Sequence, residues 1–190
     1  MIKANYADKK LIIDILTASF DKNKSVNYVA KQDKKREKRI KALMDYSFEN
    51  SWETGEIFFS EDRKAVALII YPHKKKSSFI SIIRDVKVIF SVIGFKNTLK
   101  VLAMESNIKK HYPKQLAYIS FIGVHPDFQR NKIGTSLLCD IIKLYDEVKL
   151  PIYLETSMPD NLRFYNKFGF QVYDELQPEH KLFMLKRDFR

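Results

Sequence analysis

A short loop between a buried strand and a helix carries the residues with the clearest chemical potential. An apolar strand ends at Val124, and Pro126 follows it. The chain then reads Gln129-Arg130-Asn131-Lys132-Ile133-Gly134 and continues into an apolar helical pattern. The first backbone N–H groups of a helix have no partners inside the helix, and the helix dipole adds partial positive charge there. An anion, and a phosphate group in particular, is therefore the natural ligand of this loop.

Two cations and a glycine strengthen this interpretation. Arg130 and Lys132 add positive charge, and Gly134 lets the backbone approach a bulky diphosphate closely. We therefore expect a diphosphate to contact the loop and the first helical turn, namely Gln129, Arg130, Asn131, Lys132, Ile133, Gly134, Thr135 and Ser136.

The same stretch resembles motif A of the GNAT superfamily of acyl-CoA-dependent N-acetyltransferases. The family pattern is Arg/Gln-x-x-Gly-x-Gly/Ala, and here Gln129 matches its first position and Gly134 its last. Lys132 stands where the first glycine usually is. The loop can still present its N–H groups if Lys132 needs no positive φ.

A second match lies further along the chain. The stretch from Asn161 to Phe170 is similar to a GNAT helix in which Asn161 and Tyr165, four residues apart, share one face. The two matches together cover about residues 115–173, which we expect to be the cofactor-binding core. The tetrapeptide Leu154-Glu-Thr-Ser157 and a helical insertion are also similar to features of the branch that includes puromycin acetyltransferase-like enzymes.

The resemblance implies acetyl-CoA as the cofactor and direct transfer of the acetyl group to a small-molecule primary amine. It implies that the backbone of Ile122, Gly123 and Val124 holds the pantetheine and the thioester. Asn161 and Tyr165 would face the pantetheine arm and the sulfur, with Tyr165 as the general acid. Glu155, at the end of its strand, is the first candidate for the base, with a structural carboxylate as the alternative.

The acceptor pocket is expected between the first two helices and the insertion. The aromatic residues near those segments are its candidate lining, with a place in the core as the alternative: Tyr28, Trp52, Tyr71 and Phe79. Glu53 and Glu56 are candidates for recruiting a cationic acceptor. The histidines show no metal-ligand spacing, so no metal is expected.

The composition leaves rival functions open. The 190 residues carry a formal net charge of +11, and basic residues crowd positions 31–41. A solvated helix face is one interpretation of that run, and a nucleic-acid or ribosome-associated binding domain is another. A catalytically silent acyl-CoA sensor is a further alternative. The single cysteine, Cys139, is expected to be buried, and one cysteine suits a reducing compartment. The most apolar long stretch, residues 79–95, contains Arg84, Asp85 and Lys87, so no membrane span is expected and the protein should be cytoplasmic. Monomer and homodimer both remain open.

Hydrophobic periodicity predicts one α/β domain over residues 1–190. The expected fold is GNAT-like: a mixed, mostly antiparallel central sheet of six to seven strands with helices on both faces. We expect strands over residues 1–6, 56–60, 65–71, 116–124, 151–156, 170–173 and 182–186. Helices are expected from Asp8, over 33–50 and from Ile133 to Leu144, and a helical insertion over about 78–110 between the third and fourth strands. A further helix is expected to begin with Ser157 as its cap, to which Asp160 reaches back, and to end at Phe168.

Overall fold

A computed structural model of the chain describes residues 1–74, 92, 106, 112–176 and 181–190. Its strands form a 7-stranded sheet with the order β1-β2-β3-β4-β5-β7-β6. The strands are β1 (Ile2–Lys3), β2 (Gly55–Phe59), β3 (Ala65–Ile70), β4 (Ala117–Val124), β5 (Ile152–Thr156), β6 (Gln171–Leu176) and β7 (Leu182–Arg187). The helices are α1 (Lys9–Phe20), α2 (Lys24–Val29), α3 (Arg36–Thr54), α4 (Ile133–Glu147) and α5 (Pro159–Asn166). The predicted fold class is confirmed, whereas the predicted insertion at 78–110 lies, apart from Val92 and Ser106, outside the described residues.

The centre of the sheet contains a parallel pair, β4 and β5, between antiparallel neighbours. Their register covers only Ala117↔Ile152 and Tyr118↔Tyr153, so β4 continues to Val124 without β5 beside it. On its other edge β4 pairs with β3, and Ser120 is the extra residue of a bulge opposite Leu68 and Ile69. A bulge bends a strand and increases its twist. The two central strands therefore diverge just after Tyr118.

Both faces of the sheet carry a hydrophobic core. On one face, Leu137, Ile141 and Tyr145 of α4 pack against Ala117 and Ile119 of β4. On the other face, the buried side chains of α1, α2 and α3 pack against β2 and β3, and Val92 joins that cluster. Alternate residues of a strand point to opposite faces, which is why the apolar run of β4 can be covered on both sides.

Two local expectations are wrong. Cys139 is exposed, because α4 turns it outward between Leu138 and Ile141, which are buried. The helix α5 is capped by Met158 with Pro159 at its first position, and no side chain bonds to its first turn as a cap. Ser157 instead lies buried just before the helix. Proline already suits a helix start because its missing N–H would have no partner there.

Among the described residues, no helix is long and apolar enough to cross a membrane.

Candidate functional site

A cleft of about 430 Å³ opens where β4 leaves β5 and α4 begins. The elements around it come from distant parts of the chain: the end of β4, the loop after it, the first turn of α4, one face of α5 and the end of α1. Its lining residues are Ser19, Ile122, Gly123, Val124, Phe128, Gln129, Arg130, Lys132, Ile133, Gly134, Thr135, Asn161, Phe164 and Tyr165. Most residues of the predicted cofactor site thus share one cleft, whereas Asn131 and Ser136 are exposed beside it.

The loop before α4 is wound in a left-handed conformation at two positions. Arg130 has a φ of 65° and Lys132 a φ of 60°, although neither is a glycine. The condition set from the sequence, that Lys132 needs no positive φ, is therefore not met. Left-handed backbone followed by right-handed helical backbone makes successive N–H groups converge into a concave anion site.

The first hydrogen bond within α4 runs from Ser136 N to Lys132 O at 2.9 Å. The N–H groups of Ile133, Gly134 and Thr135 therefore precede the hydrogen-bonded part of the helix, and these residues line the cleft. The side chain of Gln129 ties the loop to the end of β4, because its Nε2 donates to Val124 O at 3.2 Å. The loop is built to present backbone donors, and Arg130 and Lys132 add formal positive charge beside them.

Two glycines fit narrow places around the cleft. A Cβ on Gly134 would lie 3.0 Å from Val124 Cγ2, so a larger residue would press the start of α4 against β4. A Cβ on Gly123 would lie 2.7 Å from Ser19 Oγ and 3.1 Å from Phe20 Cε2. Gly123 is therefore required where the end of α1 crosses β4, whereas the bulge of β4 lies at Ser120.

Asn161 and Tyr165 reach the cleft from α5. The Asn161 amide is oriented by its hydrogen bond to Thr156 Oγ1 at 3.2 Å. Tyr165 is 7% exposed, and its hydroxyl has no hydrogen-bond partner within the described part of the chain. Burial raises the pKa of Tyr165 to about 12. The phenol therefore keeps its proton at neutral pH and is a donor available to a ligand.

Glu155 lies on the opposite face of the sheet. Ile152 and Leu154 of β5 pack in the core with α4, so the alternation of the strand turns Glu155 away from that core. Tyr118 and Tyr112 donate hydrogen bonds to the carboxylate. The residue as a whole is partly exposed, but its Oε1 is buried and has no hydrogen-bond partner among the described residues. Burial raises the pKa of Glu155 to about 7, although both phenols oppose the increase.

The residues predicted to line the acceptor pocket are not brought together. Tyr28 lies half-buried on α2. Trp52 is 41% exposed and packs with Tyr6 and Phe48 on the outside of α3. Tyr71 is in the core, where its hydroxyl bonds to Tyr145 at 2.9 Å.

Phe79, the fourth predicted residue, lies outside the described residues. Of the two acidic candidates, Glu56 is engaged by Lys3 and Tyr71, each at 2.6 Å. Glu53 also has an interaction partner. In the described ranges of the chain, no His, Cys, Asp and Glu side chains are grouped so as to hold a metal ion.

Sequence reasoning missed several residues of the site. Ser19 and Phe164 line the cleft, and Tyr112 and Tyr118 bond to Glu155. Phe164 directly precedes Tyr165 on α5, so the motif that contains Tyr165 could have identified it. Ser19 lines the cleft only because the end of α1 crosses β4 there, and no local sequence pattern predicts that crossing.

Comparison with protein families gives the decisive match. Residues 42–170 fit the model of the acetyltransferase (GNAT) family. This range is well over half of the 190 residues and includes the cleft loop, β5 and α5. The chain belongs to the GNAT family. The family predicted from the loop and from Asn161 and Tyr165 is thereby confirmed.

Solved GNAT structures share the fold along nearly the whole chain. One is described as histone acetyltransferase HPA2 and related acetyltransferase from Corynebacterium glutamicum, with 18% identity, a TM-score of 0.69, and coverage of 100% of this chain and 96% of that one. Another is arylalkylamine N-acetyltransferase 2 from Aedes aegypti, with 14% identity, a TM-score of 0.66, and coverage of 99% and 97%. A third is the ribosomal-protein-S18-alanine N-acetyltransferase from Escherichia coli, with 14% identity, a TM-score of 0.53, and coverage of 98% and 91%.

At these identities the likeness shows the shared fold and nothing about the acceptor. GNAT membership supports acyl-CoA-dependent acetyl transfer in general, and it covers acceptors that are small molecules as well as peptides. The narrower likeness to puromycin acetyltransferase-like enzymes stays a prediction.

Proposed function

We propose that this protein is an N-acetyltransferase that moves an acetyl group from acetyl-CoA directly to the primary amine of a small molecule in a ternary complex. The observation that carries the proposal is the cleft in which the end of β4, the N-terminus of α4 and Tyr165 meet. A helix N-terminus, a strand edge that β5 leaves unpaired and a phenol match the phosphate, amide and sulfur parts of acetyl-CoA.

The pyrophosphate of acetyl-CoA would bind at the loop before α4. The N–H groups of Ile133, Gly134 and Thr135 would donate to its oxygens, and the helix dipole favours its charge. Arg130 and Lys132 would add two cations at the rim of the cleft. The left-handed turns at these positions support this role, because they orient the N–H groups before the ligand arrives.

The pantetheine and thioester would lie along Ile122, Gly123 and Val124, where β4 has no β5 partner. Backbone groups on that edge of β4 are left for the amides of the pantetheine, in the manner of an added strand. A backbone N–H directed at the thioester carbonyl would stabilise the negative charge that develops on its oxygen. One such donor contributes about 3–4 kcal/mol in well-studied cases.

Tyr165 would assist the departing thiolate. A thiol has a pKa of about 8.5, whereas burial holds the pKa of Tyr165 at about 12. Complete proton transfer from this phenol to the thiolate is therefore unfavourable unless substrate binding lowers the pKa of Tyr165. Hydrogen-bond donation to the thiolate, with the proton shared during cleavage of the C–S bond, is the role that fits this pKa best.

Glu155 would accept a proton from the acceptor amine. It lies on β5 beside the point where β4 and β5 diverge, on the face opposite α4, so an amine on that face could reach the thioester between the strands. A base works best when its pKa is near the operating pH, and a pKa of about 7 meets that condition. Conversion of the ammonium to an amide releases two protons. Glu155 takes the first, which leaves the amine neutral for attack, and the second leaves the nitrogen after the N–C bond forms and passes to the CoA thiolate as the C–S bond breaks. The proton on Glu155 returns to solvent after the product leaves.

The test combines cofactor binding with turnover. Acetyl-CoA at about 100 times its Kd should stabilise the protein by about 2.7 kcal/mol, which is visible as a higher melting temperature. Release of CoA in the presence of a panel of primary amines should then reveal the acceptor. Absence of a melting shift at millimolar acetyl-CoA would refute the proposal at its first step.

Two phenol variants separate chemistry from binding. Tyr165→Phe should lower kcat by about 100-fold or more while acetyl-CoA still raises the melting temperature. Tyr145→Phe is the matched control, because Tyr145 is an equally buried phenol whose hydroxyl bonds to Tyr71 in the core. A full retention of kcat in Tyr165→Phe would remove this residue from the mechanism. Binding of acetyl-CoA without turnover of any amine would favour the silent sensor.

The basic run at positions 31–41 gives little support to a nucleic-acid function. Arg36 pairs with Asp21 at 2.7 Å, and Arg39 pairs with Asp33 at 2.7 Å. Arg36 also donates to Asn27 Oδ1, so it fastens the segment between α1 and α3. Both arginines are therefore engaged by carboxylates of this chain. Phosphate contacts by the remaining lysines would produce heparin or RNA binding that weakens steeply with salt, and we expect none at moderate salt.

A further inference from the structure

The surroundings of Glu155 contain a second feature, which the reaction scheme leaves unexplained. Four tyrosines, here called the tyrosine cluster, lie around Glu155: Tyr112 and Tyr118 bond to its carboxylate, Tyr173 is close enough to respond to its charge, and Tyr153 packs against both Tyr112 and Tyr173. Ring centroids are 5.9 Å apart for Tyr112 and Tyr118, 5.7 Å for Tyr112 and Tyr153, and 5.4 Å for Tyr153 and Tyr173. These residues come from the segment before β4, from β4, β5 and β6, so the sheet itself assembles the cluster.

The cluster is apolar at its base and open at its side. Met184, the direct β7 neighbour of Glu155, is fully buried, and Leu182 is nearly so. Tyr112 and Tyr173 pack on these two residues. Tyr112, Tyr118, Tyr173 and Glu155 are each partly exposed. A small molecule can therefore contact the partly exposed ring faces from solvent, while Oε1 of Glu155 lies buried beneath this surface.

Glu155 has no positively charged partner among the described residues. Its pKa responds to burial and to the hydroxyl groups of Tyr118 and Tyr112, with no contribution there from a lysine, arginine or histidine. This is unusual in a chain with 34 Lys and Arg against 23 Asp and Glu. Its buried Oε1 also has no hydrogen-bond partner in the described part of the structure. Buried polar atoms without partners are rare in native proteins and each needs an explanation.

We infer that the tyrosine cluster with Glu155 binds the acceptor as a cationic primary amine on an alkyl or arylalkyl body, and that it rejects amines bearing a carboxylate next to the amino group. This inference rests on the proposed acetyl transfer for its purpose, but the binding it describes can be measured without turnover.

The chemistry of recognition follows from the groups present. The ammonium donates to the vacant Oε1 of Glu155, while Tyr118 and Tyr112 hold the carboxylate. Phenol rings attract a cation through the negative faces of their π-systems. Met184 and Leu182 supply an apolar base for the body of the amine. A carboxylate on the carbon next to the amino group would be brought towards Glu155, and like charges in a partly buried site repel strongly.

A matched set of small molecules tests the inference on the unaltered protein. Isothermal titration with 2-phenylethylamine, phenylalanine and 2-phenylethanol compares the same ring with an amine, with an amine plus a carboxylate, and with no charge. We expect 2-phenylethylamine to bind at least about tenfold more tightly than either of the other two. Equal or tighter binding of phenylalanine would overturn the inference, and so would no detectable binding of the amine at millimolar concentration.

Substitutions of Tyr173 locate the effect. Tyr173→Phe keeps the ring and should leave the Kd of 2-phenylethylamine within about twofold, whereas Tyr173→Leu should raise it about tenfold. The Kd of acetyl-CoA should be unchanged in both variants, because Tyr173 does not line the cofactor cleft. An unchanged amine Kd in Tyr173→Leu would show that the cluster is only structural. If Tyr173→Leu does not fold, the three-ligand comparison still decides.

The outcomes also separate this inference from the proposed function. Amine binding with the expected selectivity, without release of CoA from acetyl-CoA, would refute acetyl transfer and leave the amine site standing. Release of CoA with acceptors that bear the adjacent carboxylate, at equal kcat/KM, would support transfer and refute the amine site.

Discussion

The pH dependence of stability gives the sharpest test of the structural argument around Glu155. The change is Glu155→Gln, which keeps the shape of the side chain and imitates its protonated form. In the folded protein the pKa of Glu155 is about 7, and its ordinary value is 4.5. Between these values the folded state holds a proton that the unfolded state has lost. The wild-type protein must therefore lose stability as pH rises through this window.

The magnitude follows from the two pKa values. Each unit of difference between the folded and unfolded pKa changes the free energy of unfolding by about 1.4 kcal/mol. The difference here is worth about 3 kcal/mol once pH exceeds 7, and almost nothing below 4.5. Glutamine does not titrate. The free energy of unfolding of Glu155→Gln should therefore exceed that of the wild type by about 3 kcal/mol more at about pH 8 than at about pH 4.5.

Urea unfolding of both proteins between about pH 4.5 and pH 8, without acetyl-CoA, measures this difference. Every other titrating group contributes equally to both proteins, so it cancels in the comparison. The same carboxyl should give the pH profile of kcat/KM an acid limb near pH 7, which disappears in Glu155→Gln. The acceptor alkylamine, with a pKa of about 10.4 as in lysine, stays protonated over this range, so its titration adds only a constant slope to log kcat/KM and leaves the bend near pH 7 to Glu155. A stability difference that does not vary with pH would refute the buried, unpaired carboxyl.

Three further predictions concern other parts of the fold. Lys132→Gly and Lys149→Gly place glycine at left-handed positions just before and just after α4, with φ values of 60° and 53°, so each should stabilise the protein by about 1 kcal/mol in thermal unfolding. Only Lys132→Gly should also weaken acetyl-CoA binding, and equal Kd values would deny Lys132 a role in binding. Gly123→Ala should lower the free energy of unfolding in urea by about 1–3 kcal/mol, because the added Cβ would lie 2.7 Å from Ser19 Oγ. Ser19→Ala in the same protein should restore part of this loss, and additive effects of the two substitutions would contradict the contact. Asp146→Asn should lower the free energy of unfolding by about 3 kcal/mol at pH 7, because it removes the carboxylate that pairs with Arg187, a residue only 6% exposed, and leaves a buried positive charge. A change below about 0.5 kcal/mol would mean that solvent replaces the carboxylate.

Much of the fold follows from the sequence because its signals are local. The strand from Leu116 is nearly continuous in apolar residues, and the structure has it as β4 at the centre of the sheet. The helical stripe that begins at Ile133 is α4, which continues to Glu147, beyond the expected end at Leu144. The short helix α2 was missed, since its six residues are too few to show a helical period.

The surroundings of Glu155 could not be predicted in the same way. Proximity in sequence to the first helices pointed to Tyr28, Trp52 and Tyr71 as candidates for the acceptor pocket, and that role stays a prediction. The residues that do surround Glu155 come from strands far apart in the chain. Tyr118 and Tyr153 become neighbours only through the parallel register of β4 and β5. The register between distant strands depends on tertiary packing, and the hydrophobic periodicity of one segment does not predict it.

Lys132 illustrates how a departure from a motif can leave its geometry intact. The family glycine is expected where φ is positive, and the structure has Lys132 in that conformation without a glycine. A non-glycine residue there costs about 1–2 kcal/mol, which a folded domain can bear at one position. What the phosphate needs is the direction of the N–H groups at the start of α4, and that direction depends on φ and not on the side chain. The lysine therefore trades a small loss of stability for a cation at the rim of the cleft, where a diphosphate would carry its negative charge.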